Sequence, residues 1–172
     1  MIVAVNAGHC PGKDSGAVGK FSKEADITRS IGLEVCKKLD SFGVKTVFVQ
    51  EKDLAKVCRT ANIKKADVFI SIHCNAAENK SANGTETFYW TSDKKSYNLA
   101  TCVQTRLVDA LKTRNRGVKD GTWLYVLKHT AMPAILTEVG FISNEKEERL
   151  ISDNIKSIAG AIVKAVLDYQ RM

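Results

Sequence analysis

The sequence predicts an α/β fold of three layers, with a mostly parallel mixed sheet of about six strands flanked by helices on both faces. Short apolar, β-branched runs alternate along the chain with segments whose apolar residues recur at helical spacing. At 172 residues, with 44% hydrophobic residues and two prolines, the chain can bury a substantial core and contains no linker-like stretch. We therefore expect a single domain covering residues 1–172.

The first part of the chain predicts a strand, a loop and a helix. Residues 2–5 form the predicted first strand, and a glycine-rich loop follows at residues 12–19. The helix is expected to begin near Ser22 and to end before Gly43, which can adopt the left-handed conformation that stops a helix. Glu24 falls at the top of the inward face, which is formed by apolar residues at every fourth position: Ile27, Ile31, Val35 and Leu39.

Two more strands are predicted on either side of a short helix. Residues 44–49 and 67–72 have the composition of strands, and Asp53 is placed to cap a helix between them. Residues 85–91 are rich in β-branched and aromatic residues and predict a fourth strand, which we place at an edge of the sheet. A helix is expected from about Ser96 to Leu111.

The last part of the chain predicts two further strands and a final helix. Residues 123–127 are interpreted as a short strand or an extended loop, and Pro133 opens a buried strand that leads to Glu138. The final helix is expected over residues 154–169, with one apolar stripe: Ile155, Ile158, Ile162, Val166 and Tyr169.

Charge and hydropathy exclude several classes of protein. The net charge of +7 is spread from Lys13 to Arg171 without a basic block, so it indicates no nucleic-acid site, although any polyanion, including a teichoic-acid-bearing wall, would be attracted. No apolar run approaches the roughly 20 residues that a bilayer requires, so no membrane insertion is expected. The amino terminus lacks a basic segment followed by an apolar stretch, which predicts synthesis in the cytoplasm without a signal peptide.

The five cysteines predict neither a disulfide framework nor a structural zinc site. Their number is odd and no Cys-x-x-Cys pair occurs, which indicates synthesis in a reducing cytosol. Cys36 and Cys58 fall within helical patterns and are interpreted as small hydrophobic residues. Cys10 and Cys74 each follow a histidine, which leaves a thiolate ligand as an alternative. Because neighbouring side chains on a strand face opposite ways, we expect both thiols to be inert.

Two histidines and a glutamate stand where apolar strands end. His9 follows the first strand, His73 the third and Glu138 the last. Because the carboxyl ends of parallel strands share one edge of an α/β sheet, we expect these residues to converge beside Glu24 at the start of the first helix. Two imidazoles and one carboxylate can hold a catalytic zinc ion, and a second carboxylate can transfer protons. The four residues together suffice for metal-assisted amide hydrolysis.

Each of these residues also has a structural interpretation. A histidine at a strand end is commonly a hydrogen-bonded structural residue, and Glu24 in a first helical turn can complement the helix dipole. Glu138 is harder to explain in this way, because burying a carboxylate without a partner costs several kcal/mol. The functional interpretation therefore depends on the four residues as a set.

The motifs around these residues resemble one family closely. They are Gly8-His9, Glu24 at the helix start, Arg59-Thr60-Ala61-Asn62, the run from Ala66 to Asn75 that contains Ser71-Ile72-His73, and the run from Met132 to Asn144 that contains Glu138-Val139-Gly140-Phe141. In this order, and across nearly the whole chain, they are similar to the zinc-dependent N-acetylmuramoyl-L-alanine amidases of the Amidase_3 type.

The resemblance implies that His9, Glu24 and His73 hold Zn²⁺ and that Glu138 is the catalytic acid/base. It also implies a peptidoglycan substrate, in which the amide between the lactyl group of N-acetylmuramic acid and L-alanine of the stem peptide is hydrolysed by zinc-assisted water attack. Such enzymes act as phage endolysins or bacterial autolysins, and this chain would act on the cell wall after its release. A separate wall-binding module, if one exists, would lie beyond Met172.

The first motif departs from the Asp-Pro-Gly-His-Gly pattern that is usual in the family, because Asn6-Ala7-Gly8-His9-Cys10 stands in its place. The missing carboxylate at Asn6 is expected to alter the support of His9, whose orientation depends on what its second ring nitrogen contacts. We interpret His129 as an exposed loop histidine rather than as a substrate contact. Two other functions remain open: a zinc peptidase or deacetylase of similar fold, and an inactive cationic wall-binding domain.

Overall fold

A mixed sheet forms the centre of the structure. The computed structural model describes all 172 residues. Its strands are β1 (Ile2–Ala7), β2 (Lys45–Val49), β3 (Val68–Asn75), β4 (Thr85–Tyr89), β5 (Asn115–Asp120) and β6 (Ala134–Phe141). Its helices are α1 (Glu24–Ser41), α2 (Leu54–Ile63), α3 (Lys94–Leu111), α4 (Tyr125–His129), α5 (Glu145–Asp153) and α6 (Ile155–Gln170). The strand order is β2-β1-β3-β6-β4-β5, and only β4 and β6 pair antiparallel. The predicted α/β class and mostly parallel mixed sheet of six strands are confirmed.

Helices cover both faces of the sheet and complete three layers. On one face, strand residues such as Val5, Ile72 and Ile135 share a core with α1, α3 and α6. On the other face, Ala4 and Phe69 share a smaller core with α2 and α4. Successive strand residues thus face opposite layers, and burial on both sides explains why these strands are continuous apolar runs. No helix is long and apolar enough to cross a membrane.

Helix α1 begins at Glu24, two residues after the predicted start near Ser22. Ser22 does not cap the helix, because its backbone N–H and its hydroxyl both donate to the carboxylate of Glu148, at 2.7 and 2.6 Å. The predicted stop at Gly43, with φ of 73°, is confirmed. Glu24 stands at the amino end of the buried helix face and is only 3% exposed.

Two elements in the second half of the chain differ from the sequence prediction. Residues 85–91 were expected at an edge of the sheet, but β4 lies between β6 and β5. The edge strand is β5, which has no apolar pattern and contains Gly117 with φ of 83°, so the sequence did not predict it. Residues 123–127 were expected as a strand or loop. Instead Leu124 N–H donates to the Gly121 carbonyl at 2.8 Å, and this turn leads into α4, where Val126 and Leu127 are buried.

The sequence also did not predict helix α5, because this helix is short and mostly charged. Its signal is local. Asn144 caps the helix by accepting hydrogen bonds from the N–H groups of Lys146 and Glu147, and Glu147 occupies the third helical position, as in a capping box. The Glu147 carboxylate does not reach back to the cap. It accepts hydrogen bonds from the N–H groups of Gly84 and Phe141, at 2.8 and 2.7 Å, and so ties α5 to β4 and β6.

Glu148 connects α5 to the loop that leads into α1. Its carboxylate accepts four hydrogen bonds of 2.6–2.8 Å, from the backbone N–H groups of Lys20, Phe21 and Ser22 and from the Ser22 hydroxyl. Burial by itself would raise the pKa of Glu148, but these hydrogen bonds outweigh burial and hold the pKa below its ordinary value. The ionised carboxylate therefore fixes the approach to Glu24.

Glu148→Gln tests this anchor. At neutral pH we expect the free energy of unfolding to fall by about 1–3 kcal/mol, the usual cost of losing hydrogen bonds to a buried charged acceptor. Because the folded pKa is depressed, the stabilisation by this carboxylate is complete above the unfolded pKa of 4.5 and is lost as the pH falls through the folded pKa. Denaturation midpoints of the variant and the parent should therefore converge in acid.

Glu145→Gln is the control, since Glu145 neighbours Glu148 on α5 but has an exposed side chain that makes only surface ion pairs. We expect it to change the free energy of unfolding by less than about 1 kcal/mol. Equal midpoints for parent and Glu148→Gln at neutral pH would contradict the anchoring role.

Candidate metal centre

The carboxyl ends of β1, β3 and β6 meet at one edge of the sheet, as the sequence predicted. Strand β3 pairs with β6 so that His73 stands opposite Glu138. His9 follows β1, the neighbour of β3 on the other side, and its ring centroid lies 5.2 Å from that of His73. The structure therefore brings together the three predicted residues that end these strands.

Glu24 joins the two histidines from the first position of α1. Its Oε2 lies 3.2 Å from Nε2 of His9, and its Oε1 lies 2.9 Å from Nδ1 of His73. One donor atom from each of the three residues lies within 4.8 Å of the others. Two imidazoles and one carboxylate at this spacing can share one metal ion, and no fourth His, Cys, Asp or Glu side chain joins the group.

The buried Glu24 carboxylate is held by the backbone as well as by the histidines. Ala17 N–H donates to Oε2 at 2.9 Å, and Cys74 N–H donates to Oε1 at 3.0 Å. Burial would raise the pKa of Glu24, but the hydrogen bonds from His73 and His9 outweigh it, so the pKa lies well below its ordinary value. In the same contact, the Glu24 hydrogen bond is the main factor that raises the pKa of His9 to about 9.

Asp14 supports His9 from the opposite side, and sequence reasoning missed it. Its Oδ2 lies 2.8 Å from Nδ1 of His9, which leaves Nε2 directed at Glu24. Its Oδ1 accepts a hydrogen bond from Gly16 N–H at 3.1 Å, so the turn of the glycine-rich loop fixes the carboxylate. No spacing rule places a loop aspartate on a histidine five residues earlier. The only available signal was the general requirement that a metal-binding histidine have a partner for its second nitrogen.

Asn6, which stands where the family usually has a carboxylate, takes no part in this support. Its side chain donates to the carbonyls of Ala7 and Val49, both at 3.1 Å, and accepts from the Ser71 hydroxyl at 2.7 Å. Asn6 is buried between β2, β1 and β3, where it links the strands rather than orienting His9.

The two cysteines next to the histidines remain outside the metal cluster, as expected. Cys74 is buried in the larger core on the opposite face of β3 from His73, and burial raises the pKa of its thiol well above the ordinary value. The Sγ of Cys10 lies 3.9 Å from the carbonyl oxygen of Gln50. The thiolate alternative therefore finds no support in the structure.

Two glycines leave the space that the imidazole rings occupy. A Cβ on Gly8 would lie 2.4 Å from Cε1 of His73, and a Cβ on Gly16 would lie 2.5 Å from Cδ2 of His9. Gly16 also has φ of +64°, which side chains rarely adopt. Glycine at both positions is therefore a requirement of the site itself.

Glu138 is the one member of the site without a compensating partner. Its Oε2 is buried and makes no hydrogen bond. Burial is the main factor that raises the pKa of Glu138 to about 7, and the charges of Glu24 and Glu86 add to it, while His73 opposes it. Unsatisfied buried polar atoms are rare in native proteins and are commonly functional.

A cleft of about 240 Å³ opens beside the histidines. Leu54 of α2, Leu124 just before α4 and Tyr125 of α4 line this cleft together with His9 and His73. The cleft has room for part of a substrate next to the metal donors. His129, at the end of α4, is exposed, stacks on Tyr125 and is not part of the cluster, so its predicted exposure is confirmed although it lies in a helix rather than a loop.

The fold and the site together define a class, namely α/β proteins with a candidate metal centre at one edge of the sheet and, beside it, a carboxyl group whose buried oxygen has no hydrogen-bond partner. Comparison with known proteins then gives the family. Residues 3–168 match the N-acetylmuramoyl-L-alanine amidase family, Amidase_3, and the chain belongs to this family. Its members hydrolyse peptidoglycan, so the function expected from the motifs is confirmed at the level of the family.

Similar proteins agree with this assignment. The chain is 39% identical to the uncharacterized protein YqiI of Bacillus subtilis, over 97% of this chain and 84% of that protein. It is 33% identical to the N-acetylmuramoyl-L-alanine amidase LytC of the same organism, over 98% of this chain but only 35% of LytC. Among solved structures, the catalytic domain of CwlV, an N-acetylmuramoyl-L-alanine amidase from Bacillus (Paenibacillus) polymyxa var. colistinus, matches with a TM-score of 0.91 at 31% identity, covering 99% and 98% of the two chains.

Asp14→Asn and Asn6→Ala separate support of the metal site from support of the sheet. We expect Asp14→Asn to weaken Zn²⁺ binding about 10- to 100-fold, because His9 loses the carboxylate that orients it, with little change in stability. Asn6→Ala should lower the free energy of unfolding by about 1–3 kcal/mol through the lost buried hydrogen bonds, and leave the Zn²⁺ affinity within about threefold. Competition with a chromogenic chelator and chemical denaturation measure the two effects. Weaker Zn²⁺ binding by Asn6→Ala and lower stability of Asp14→Asn would contradict the roles assigned to these two residues.

Proposed function

We propose that residues 1–172 form a Zn²⁺-dependent amidase domain that cleaves the amide between the lactyl group of N-acetylmuramic acid and L-alanine of the stem peptide. The reaction is the one for which the family is named. The observation that best supports the mechanism in this chain is the buried Oε2 of Glu138 on β6, which has no hydrogen-bond partner and stands opposite His73 of the candidate metal cluster. The domain acts on the bacterial cell wall, and its net charge of +7 attracts it to wall polyanions.

The donor set fits zinc. His9 Nε2, the Glu24 carboxylate and His73 Nδ1 face one another, and Asp14 holds the second nitrogen of His9. Three protein donors of these types leave a coordination position open, which is the arrangement of catalytic rather than structural zinc. A bound zinc ion supplies Lewis acidity toward an amide carbonyl and lowers the pKa of water toward about 7.

Glu138 transfers the protons in this mechanism. A carboxyl with a pKa of about 7 is present in both protonation states near neutral pH. Its ionised form takes a proton from the attacking water, and its protonated form donates that proton to the alanine nitrogen as the C–N bond breaks. The products are a free α-amine on alanine and a free carboxylate on the lactyl group. The Glu138 residue as a whole is only partly buried, and its Oε2 has no hydrogen-bond partner within the protein that would compete with the substrate.

Glu138→Gln tests the proton-transfer role. We expect kcat for lysis of purified cell walls to fall about 10²- to 10⁴-fold, because glutamine cannot carry the proton, with the bound zinc content unchanged. Glu78→Gln, an exposed residue in the loop after β3, is the matched control and should retain the activity of the parent. Wall lysis by Glu138→Gln at the rate of the parent would exclude this role.

Metal removal tests the zinc requirement. Dialysis against a chelator should abolish wall lysis, and addition of Zn²⁺ should restore it. Glu24→Gln should lose tight zinc binding, because the buried carboxylate lies between the two histidines and is one of the three proposed metal donors. Full activity of a protein shown to be free of metal would refute the mechanism, whatever the result for Glu138→Gln.

Product analysis separates the amidase from a peptidase, a deacetylase or an inactive wall-binding domain. Digestion of peptidoglycan should release new alanine α-amines without new reducing ends and without acetate, because only the lactyl amide is cleaved. New amines on other stem residues would indicate a peptidase. Release of acetate would indicate a deacetylase, and wall binding without any product would indicate an inactive domain.

A further inference from the structure

A cluster of charged side chains lies beside Glu138, on the side away from the histidines. Along the sheet the order is His73 on β3, Glu138 on β6, Glu86 on β4, and Arg116 and Lys119 on β5. Glu86 stands directly opposite Glu138 in the β4–β6 pair, and its charge contributes to the raised pKa of Glu138. The cluster is thus continuous with the site, yet the reaction described above does not use it.

Glu86 holds the two cations in place. Its carboxylate is buried, with 4% of the residue exposed. Oε2 accepts hydrogen bonds from Arg116 Nε at 2.8 Å and Lys119 Nζ at 2.5 Å, and Oε1 accepts from Asn75 Nδ2 at 2.6 Å. Burial would raise the pKa of Glu86, but the two cations outweigh it and hold the pKa below its ordinary value. The carboxylate is therefore ionised and rigidly bonded.

The cluster carries more positive charge than Glu86 requires. One cation would neutralise the buried carboxylate, and the amide of Asn75 would satisfy its other oxygen. The second cation leaves the group of Glu86, Arg116 and Lys119 with a net charge of +1 at neutral pH. Glu138, directly opposite Glu86, offsets this surplus only when it is ionised, so an anion bound from solution can balance the second cation while Glu138 is protonated.

The Arg116 guanidinium is held in one orientation and still has a free hydrogen-bond donor. Nε is bonded to Glu86, Nη1 lies 3.4 Å from the Asn83 carbonyl oxygen, and the guanidinium stacks over Phe141 at 5.0 Å from the ring centroid. Nη2 has no hydrogen-bond partner in the protein, and the Arg116 and Lys119 side chains are 27% and 40% exposed. A guanidinium held in this way is preorganised for a carboxylate.

The order of residues across the sheet sets the direction of the substrate. The scissile carbonyl belongs at the metal donors, on β1 and β3, and the departing nitrogen belongs at Glu138, on β6. The peptide attached to that nitrogen then continues toward β4 and β5. We propose that Arg116 and Lys119, held by Glu86, form a subsite for a carboxylate of the stem peptide on the leaving-group side of the bond. This inference rests on the proposed function.

The dimensions agree with this placement. Neighbouring strands lie about 4.8 Å apart, so β5 is about 9.5 Å from β6. An extended peptide advances about 3.5 Å per residue, which places a carboxylate on the residue after alanine roughly 7 Å from the departing nitrogen. Because the Arg116 and Lys119 side chains reach back from β5 to Glu86 on β4, they meet a carboxylate at that distance.

Two matched substrates test the subsite. The first is N-acetylmuramoyl-L-alanyl-γ-D-glutamyl-L-lysine, which has a free α-carboxylate on the glutamyl residue, and the second is the same compound with an α-carboxamide there. We expect the parent to prefer the carboxylate about tenfold or more in kcat/KM, chiefly through KM, because the contact is made in the ground state as well as the transition state. Arg116→Gln should reduce the preference to about threefold or less by raising KM for the carboxylate substrate alone.

Arg114→Gln and Lys112→Gln are the controls. Both residues are exposed, and each substitution removes one positive charge near the cluster, two positions before Arg116 and seven positions before Lys119. They should leave the preference unchanged. Equal kcat/KM for the two substrates in the parent would overturn the subsite while leaving the amidase intact, and cleavage of neither would overturn the proposed function and the subsite with it. If Arg116→Gln fails to fold, Lys119→Gln decides: a retained preference there overturns the subsite, and a reduced one supports it.

Discussion

The contact between the Glu24 carboxylate and the two imidazoles is the interaction on which the rest of the site depends. A buried carboxylate is tolerated only when its oxygens are bonded, and those of Glu24 contact His9, His73 and two backbone N–H groups. His9 and Ala17 belong to the one loop between β1 and α1, whereas His73 and Cys74 belong to β3, 49 and 50 positions from Glu24. One charge on the first residue of α1 therefore joins its preceding loop to a strand that the chain order keeps far away.

The site contains two buried carboxylates with opposite pKa shifts, and the difference follows from their partners. Hydrogen bonds hold the pKa of Glu24 well below its ordinary value, so this residue stays ionised, as its proposed role as a metal ligand requires. Glu138 has a buried Oε2 that makes no hydrogen bond, and its pKa rises to about 7. Environments that separate two carboxylates in this way assign one to binding and the other to proton transfer.

The sequence predicts the parts of this site that depend on strand ends, and it fails where the deciding hydrogen bonds follow no repeating sequence pattern. His9, His73 and Glu138 follow apolar runs, and a mostly parallel sheet must bring such positions to one edge. Asp14 acts through a loop turn that has no periodic pattern, and the polar residues of β5 pair at an edge where no apolar alternation is required. Helix α5 also has no apolar pattern that predicts it, because most of its few buried residues are carboxylates that accept hydrogen bonds from distant backbone N–H groups.

The single antiparallel pairing, between β6 and β4, explains why charged side chains continue along the sheet beyond Glu138. If β4 ran parallel to β6, its carboxyl end near Tyr89 would lie at the edge where Glu138 stands. Because β4 runs the other way, its amino end lies there, and Glu86 becomes the direct neighbour of Glu138. Strand β5 runs parallel to β4 and brings Arg116 to the same edge. The reversal thus arranges charged side chains along the sheet, from the candidate metal donors through Glu138 to the fixed cations Arg116 and Lys119, and the proposed direction of the substrate follows this order.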